Sequence, residues 1–401
     1  MNNAPLGLYV HIPFCSALCN YCDFAKTANY GKVHVKEYLD VLLTQLIQWK
    51  NILGPEKKFT SVFFGGGTPG LFAKEYDSLM GVIHEMSAQG AEVTLEANPD
   101  NVSLENIQTW KSLGINRLSV GVQTFDEKGL KDLTRQHSIH KALSALELAS
   151  KNFPKSNGDL IYGWNGQTLE SWRRDLEMMV STGVDHVSLY ALTYEGHTPF
   201  ARAERRGIRH AMPGDDLAER YKIASEFLKD RNFVHEEVSN WAKEGTSCEH
   251  NWLYWRANYY VAIGAGAHGF LDDGTPIGLR YHYPSDFREL IRRQNSRAID
   301  ASQRSYSDLV VAQGGAIDRD RDLEAWKLEY VGCGLRCQDG VNLEKLSQIG
   351  FTFRPSATLQ RATAEGYLFQ EGSELRLIKE EWFRETAWSL EVCESLVKAG
   401  S

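Results

Sequence analysis

The chain predicts an α/β fold in two parts: a partial barrel of six parallel strand-helix units, (β/α)6, and then a mainly helical C-terminal domain. Three observations carry this expectation. Short apolar runs alternate with amphipathic stretches through the first half, a rhythm that calls for a parallel sheet. Six such units are too few to close an eight-unit barrel of the TIM type. From about residue 302 onward the alternation gives way to helical segments around one hairpin.

The first unit opens with Leu8-Tyr9-Val10-His11-Ile12-Pro13-Phe14, a buried strand by composition. It runs directly into Cys15-Ser16-Ala17-Leu18-Cys19-Asn20-Tyr21-Cys22, in which the thiols are separated by three residues and then two. After this loop Val35, Tyr38, Leu39, Leu42, Leu43, Leu46 and Ile47 recur at helical spacing and predict an amphipathic helix. Strands are then expected at Ser61-Val62-Phe63-Phe64, Val93-Thr94-Leu95, Arg117-Leu118-Ser119-Val120, Leu160-Ile161-Tyr162 and Val187-Ser188-Leu189-Tyr190. Helices are expected between them near 75–88, 103–113, 138–151 and 168–182.

In such a fold the chemistry gathers at the C-terminal ends of the strands. Polar or glycine-rich residues stand there after almost every predicted strand. Gly65-Gly66-Gly67-Thr68-Pro69 follows the second and Glu96-Ala97-Asn98-Pro99 the third. Gly121-Val122-Gln123 follows the fourth, Asp159 opens the fifth, and Tyr190-Ala191 close the sixth. Glycines let backbone amides approach a small polar ligand, and Glu96 and Asp159 can accept hydrogen bonds from hydroxyl or ammonium groups. Each has a plainer reading: a tight turn for the glycines, helix capping or a surface ion pair for the carboxylates, a satisfied backbone group for Gln123 and a solvated side chain for Arg135. Together they outline one pocket.

Three thiols at a strand end suit a soft metal centre, and on a four-iron cube they leave one iron open. A zinc site normally takes four ligands, and His11 and His34 are the nearest candidates for a fourth. A disulfide framework needs an oxidising compartment. The odd count of 7 Cys and the lack of a charged-then-apolar segment before Leu6 argue against one.

Composition bounds the rest. At 45.3 kDa the chain suffices for one large and one smaller domain. No apolar run is long enough to span a bilayer, so the expected location is the cytoplasm. A net charge of -8 gives no electrostatic reason to bind nucleic acid. Peripheral membrane attachment and a homodimer stay open.

The cysteine loop, with Gly65-Gly66-Gly67-Thr68-Pro69, Glu96-Ala97-Asn98-Pro99, Gly121-Val122-Gln123-Thr124-Phe125 and Asp159-Leu160-Ile161-Tyr162-Gly163, resembles the radical S-adenosylmethionine superfamily, and within it the coproporphyrinogen III oxidase-like group. The resemblance runs from about Leu6 to about Leu346. It implies a 4Fe-4S cluster on Cys15, Cys19 and Cys22, with S-adenosylmethionine chelating the open iron and yielding a 5'-deoxyadenosyl radical on one-electron reduction. By motif position Tyr9, Gly66 and Glu96 match residues around this S-adenosylmethionine. Tyr21, Gly67, Thr68, Gln123, Arg135, Asp159 and Ala191 match positions that contact a second molecule of it in the oxidase branch.

Two departures separate the chain from the oxidases, which carry a further cysteine two residues after the third ligand and a long N-terminal extension. Phe24 occupies that position here, and fourteen residues precede Cys15. The pattern resembles instead the HemW branch of haem chaperones, which bind haem and deliver it to haem-requiring proteins. No catalytic residue is therefore assigned; the alternative is a porphyrin decarboxylase or methyltransferase. His250-Asn251-Trp252-Leu253-Tyr254-Trp255 matches an element typical of the chaperones, and Gly264-Ala265-Gly266-Ala267-His268-Gly269 the glycine-rich element after it. His250 is the candidate haem ligand, with His268 and Tyr281-His282-Tyr283 behind it; its plainer reading is an anchor for packed aromatics. Where the family usually continues Leu-Pro-Gly-Gln-Thr, this chain has Trp164-Asn165-Gly166-Gln167-Thr168, so a differently shaped turn is expected.

Three parts are expected: the barrel over 1–240, a linking region with the haem candidate over 241–301, and the helical domain over 302–401. In the last, helices near 320–331, 341–349 and 355–366, a hairpin over 366–378 and a final helix suggest a winged-helix-like domain. Its 12 Lys and Arg against 16 Asp and Glu leave it acidic, which favours packing or partner docking over DNA. Cys333 and Cys337, lacking a third thiol nearby, read as ordinary cysteines.

Overall fold

A computed structural model describes residues 4–296, 305–318 and 321–398. Strands β1 (Leu6–Ile12), β2 (Phe59–Gly66), β3 (Ser87–Ala97), β4 (Arg117–Gln123), β5 (Lys155–Tyr162) and β6 (His186–Ala191) lie side by side in chain order. Every neighbouring pair among them is parallel. Helices α1 (Lys32–Leu53), α2 (Asp77–Met86), α3 (Leu104–Ser112), α4 (Glu127–Asp132), α5 (Ile139–Asn152) and α6 (Leu169–Ser181) return the chain between strands. The six expected strand-helix units are thus present.

Local chemistry sets the boundaries. Ser103, Asp126, Ser138 and Thr168 each cap a helix by accepting backbone N–H bonds from its first turn. On α1 the fully buried Tyr38, Leu42, Leu46 and Trp49 fall on one stripe and pack on the outer face of the sheet. Leu8, Val10 and Ile12 of β1 meet that helical layer, so Tyr9 and His11 point to the barrel interior.

That interior is polar. Arg117 Nη2 donates to His186 Nδ1 at 3.1 Å, and Asn157 Nδ2 donates to Ser119 Oγ at 2.8 Å and Asp159 Oδ1 at 2.7 Å. Arg117 is buried among these groups, so the barrel is filled by a hydrogen-bonded network rather than by aliphatic layers.

The sheet does not stop at six strands. After α7 (Pro199–Arg205) and α8 (Gly214–Lys229), β7 (Val234–Glu237) and β8 (Asn240–Ala242) pair antiparallel and cover the β6 edge. After α9 (Glu249–Trp255), β9 (Tyr259–Ile263) pairs parallel with β1 on its free side. Next come β10 (His268–Leu271), β11 (Leu279–His282), α10 (Phe287–Asn295), α11 (Tyr306–Ala312) and β12 (Ala316–Ile317). The outer three strands run antiparallel and complete a sheet of twelve. An open barrel would otherwise leave two rows of unpaired backbone groups, and these additions satisfy them. The stretch read from sequence as a linker, 241–301, therefore carries β8 to β11 in the same sheet, while the boundary expected at 302 lies outside the described residues.

The C-terminal part has its own core around Trp326, Leu346, Leu359 and Trp382. Its helices cover Leu323–Leu335, Leu343–Gln348, Ala357–Ala364 and Glu385–Glu394, with a hairpin of Leu368–Glu371 and Glu374–Leu377 before the last. No described helix is long and apolar enough to cross a membrane.

Candidate functional site

The C-terminal ends of β1 to β6 surround a cavity of about 550 Å³. Cys15, Cys19, Cys22, Tyr21, Gly66, Gly67, Thr68, Glu96, Gln123, Arg135, Asp159 and Ala191 all line it, so the cluster cysteines and every S-adenosylmethionine candidate except Tyr9 meet in one place, while the haem candidates His250, His268 and Tyr281-His282-Tyr283 lie outside it.

The cysteine loop is closed at its base. Cys15 N–H donates to Thr27 O at 2.9 Å and Thr27 N–H to Pro13 O at 2.7 Å, which pins both feet of the excursion. The glycine turn is stitched beneath it: Gly67 N–H donates to Ile12 O at 2.7 Å and Thr68 N–H to Phe14 O at 2.9 Å. A Cβ on Gly67 would lie 2.7 Å from the Phe14 carbonyl oxygen, and Gly66 has φ of +115°. Both positions require glycine. All three thiols are free; burial pushes that of Cys15 up to about 11, with Thr68 acting against the shift. A thiolate there needs a cationic partner, as an iron centre would be.

Arg135 ties the loop to the sheet. Its Nη1 donates to Cys19 Sγ at 3.5 Å, and its Nη2 donates to Asn98 Oδ1 at 2.7 Å and Gly121 O at 2.5 Å. Asn98 Nδ2 in turn donates to Thr68 Oγ1 at 3.2 Å. Nε of Arg135 is buried without a partner. Gln123 has φ of +75° at a break in the β4–β5 register, and the strained backbone sits on the cavity wall.

Glu96 accepts from Gly66 N–H at 3.2 Å and is pushed up to about 8 by burial and the Asp159 charge, against the opposing pull of that N–H and of Arg117. Burial also raises Asp159, which accepts from Asn157. Two carboxylates with too little cationic compensation thus face one cavity. A ligand rich in N–H and O–H donors, as the amino and ribose groups of S-adenosylmethionine are, fits this lining.

Tyr9 stands behind the wall. Its hydroxyl donates to His11 Nδ1 at 3.0 Å, and His11 Nε2 donates to Ala25 O at 2.7 Å, an order set by an imidazole that burial lowers to about 4 and keeps neutral. His11, considered from sequence only as a fourth zinc ligand, and Asn98, given no role there, therefore brace the cysteine loop and the Arg135 bridge. Both stand in motifs singled out there, at strand ends. Trp164 is buried against Leu133, Ile161, Leu192 and Phe200; Ile161 and Leu192 line the cavity, so the indole packs behind the wall.

His250 lies in the core, in the arrangement its plainer reading describes. It is fully buried on α9, stacked on Phe63 with ring centroids 5.4 Å apart. One ring nitrogen is hydrogen bonded with Ser61 Oγ at 2.9 Å and the other with the Tyr254 hydroxyl at 2.9 Å. Burial lowers it to about 3, so it stays neutral. Ser61 precedes Gly66 by about 16 Å of strand, which puts the imidazole toward the far end of the barrel from the cavity. Both nitrogens are engaged by hydroxyl groups in this structure.

The Radical SAM superfamily model matches residues 9–179. The chain is 35% identical over 285 residues to the heme chaperone HemW of Lactococcus lactis, covering 70% of this chain and 72% of that one. It is 38% identical over 278 residues to the Haemophilus influenzae HemW (67% and 70%), and 32% over 373 residues to the Escherichia coli HemW (91% and 92%). The fold is similar to that of the coproporphyrinogen III oxidase HemN from Escherichia coli, a radical SAM enzyme, with a TM-score of 0.74 at 19% identity over 97% of this chain and 90% of that one. With its cysteine loop and its strand-end carboxylates in one cavity, the chain belongs to the radical S-adenosylmethionine superfamily, in the HemW family of haem chaperones.

Proposed function

We propose that the chain binds haem and passes it to acceptor proteins in the cytoplasm, with a 4Fe-4S cluster on Cys15, Cys19 and Cys22 and S-adenosylmethionine beside it. Similarity to the HemW chaperones over two thirds and more of both chains is the observation that carries the reading. Phe24 supports it further: where the oxidases carry a cysteine, a phenylalanine that is 69% exposed lies on the cavity rim. When bound, the cluster and S-adenosylmethionine supply one-electron reductive cleavage of a sulfonium bond. This chain's residues would orient that ligand. Glu96 and Asp159 accept its N–H and O–H groups, Gly66 and Gly67 permit close approach, and Arg135 and Asn98 fix the loop that holds the thiols.

The test is anaerobic reconstitution with iron and sulfide, followed by haem titration and an assay for 5'-deoxyadenosine and coproporphyrinogen turnover. Stoichiometric haem binding and transfer to an apo-acceptor, without decarboxylation of coproporphyrinogen, is the expected outcome. Turnover of the porphyrinogen, or failure to bind haem in either oxidation state, overturns it.

A further inference from the structure

A second cleft, of about 600 Å³, opens on the other side of Phe24, between the residues that follow the third thiol and the antiparallel edge β10–β11–β12. His268 and His282 line it, and Asp318 stands beside them to complete a group of three side chains of metal-binding type. His268 and His282 are directly opposed across β10 and β11, and their rings stack with centroids 5.4 Å apart. Ala316 of β12 pairs with His282, and Asp318 is the second residue beyond it, so the period of two in a strand returns its carboxylate to the same face. Asp318 N–H is anchored on Arg280 O at 3.0 Å. One imidazole nitrogen from each histidine and one Asp318 carboxylate oxygen all lie within 4.8 Å of one another.

From this arrangement we infer that His268, His282 and Asp318 form a binding site for a divalent transition-metal ion of the zinc type. The donor set is two imidazoles and one carboxylate. It suits zinc and its first-row neighbours and is wrong for magnesium and calcium, which prefer oxygen throughout. Three protein ligands leave a fourth position open to the cleft, where water or a small ligand completes a tetrahedron.

The side chains are prepared for it. His268 is exposed, and its ring nitrogens have no hydrogen-bond partner among the described residues. His282 Nδ1 and Asp318 Oδ1 already approach to 2.7 Å, so an ion taken up beside His268 would replace the proton they share and be held by both atoms. Arg293, which lines the same cleft, is held by Glu289 and the Gly314 carbonyl, so its charge is already compensated. Nor does the cleft resemble a bed for a porphyrin. Asp23, Ser285, Glu289 and Arg293 contribute polar walls where a macrocycle needs flat apolar ones. A bound ion would fasten the two-residue strand β12 to β11 beside the cysteine loop.

This inference stands apart from the haem reading. The experiment uses the full chain with its cluster reconstituted, so that Cys15, Cys19 and Cys22 are occupied, and titrates Zn²⁺ against a chromophoric chelator under anaerobic conditions. One equivalent is expected beyond the cluster iron. His268→Ala, on the exposed ligand, should weaken it at least tenfold, with the cluster absorption and far-ultraviolet circular dichroism unchanged. Asp318→Asn, which replaces an anionic ligand with a neutral one, should likewise weaken it at least tenfold. Zinc binding that survives His268→Ala combined with His282→Ala overturns the site. So does a double variant that loses haem while keeping zinc.

Discussion

Replacing His250 separates an architectural histidine from a haem ligand. His250→Ala deletes an imidazole that is fully buried and stacked on Phe63, and leaves the Ser61 and Tyr254 hydroxyls without the partners they hold at 2.9 Å. The vacated volume and lost stack cost roughly 3 kcal/mol. Each hydroxyl stranded in the interior adds about 1 kcal/mol. The total of about 5 kcal/mol equals the lower end of a domain's whole stability. His250→Phe refills the volume and strands only the hydroxyls, so it should lose about 2 kcal/mol. Urea unfolding followed by circular dichroism should therefore order the midpoints wild type, Phe, then Ala. Haem titrated into the folded fraction of each, read in the Soret band, should give affinities within a factor of about two of one another, since each factor of two is only ~0.4 kcal/mol. A variant that unfolds at the wild-type urea concentration but has lost haem would refute the reasoning, because the imidazole would then be free for iron rather than committed to the core.

Lys155 Nζ lies 2.9 Å from Glu92, whose side chain is 2% exposed; burial raises that carboxyl, but Arg117 and Lys155 together bring it below its ordinary value. Lys155→Met should cost about 3 kcal/mol at pH 7. Because a depressed carboxyl contributes its stability above the unfolded value and loses it as pH falls, the wild-type advantage should shrink below about pH 4.5; a gap that stays constant down to pH 3 counts against the pairing. Glu96 runs the other way. With its folded value near 8 against 4.5 in the unfolded chain, the ligand-free protein should lose stability as pH rises between those values, up to about 3 kcal/mol at pH 7, and Glu96→Gln should remove the slope while weakening S-adenosylmethionine binding. Equal slopes in variant and wild type would sink that account. Gln123→Gly at φ +75° should raise stability by about 1 kcal/mol in thermal unfolding, and a destabilised variant would show that the side chain supports the turn.

The barrel and its pocket were legible in sequence because a parallel strand and the loop after it leave separate marks. Ser61-Val62-Phe63-Phe64 signals burial, and Gly65-Gly66-Gly67 directly after it signals a close backbone approach; the same pairing recurs at Glu96 and Gln123. What escaped is whatever depends on register between distant segments. Tyr259-Tyr260-Val261-Ala262-Ile263 is as apolar as any strand of the barrel, yet nothing in it says that it pairs with β1, some 250 residues earlier in the chain. His268 and His282 become neighbours only through the β10–β11 pairing, and β12 then adds Asp318. His250 is ambiguous in sequence for the opposite reason. A histidine among aromatics has the same local signature whether it waits for iron or fills a core, and what decides is the count of partners on its two nitrogens. Ser61 and Tyr254 take both. The barrel explains why: its polar interior leaves Ser61 and Gly7 facing inward at the end away from the cavity, and only a small ring with two hydrogen-bonding corners can close that end without burying an unsatisfied hydroxyl. A Cβ on Gly7 would lie 2.4 Å from Leu253 Cδ1 and 3.0 Å from the His250 imidazole, so the glycine on β1 and the pair Leu253 and His250 on α9 are one packing solution written in two distant places.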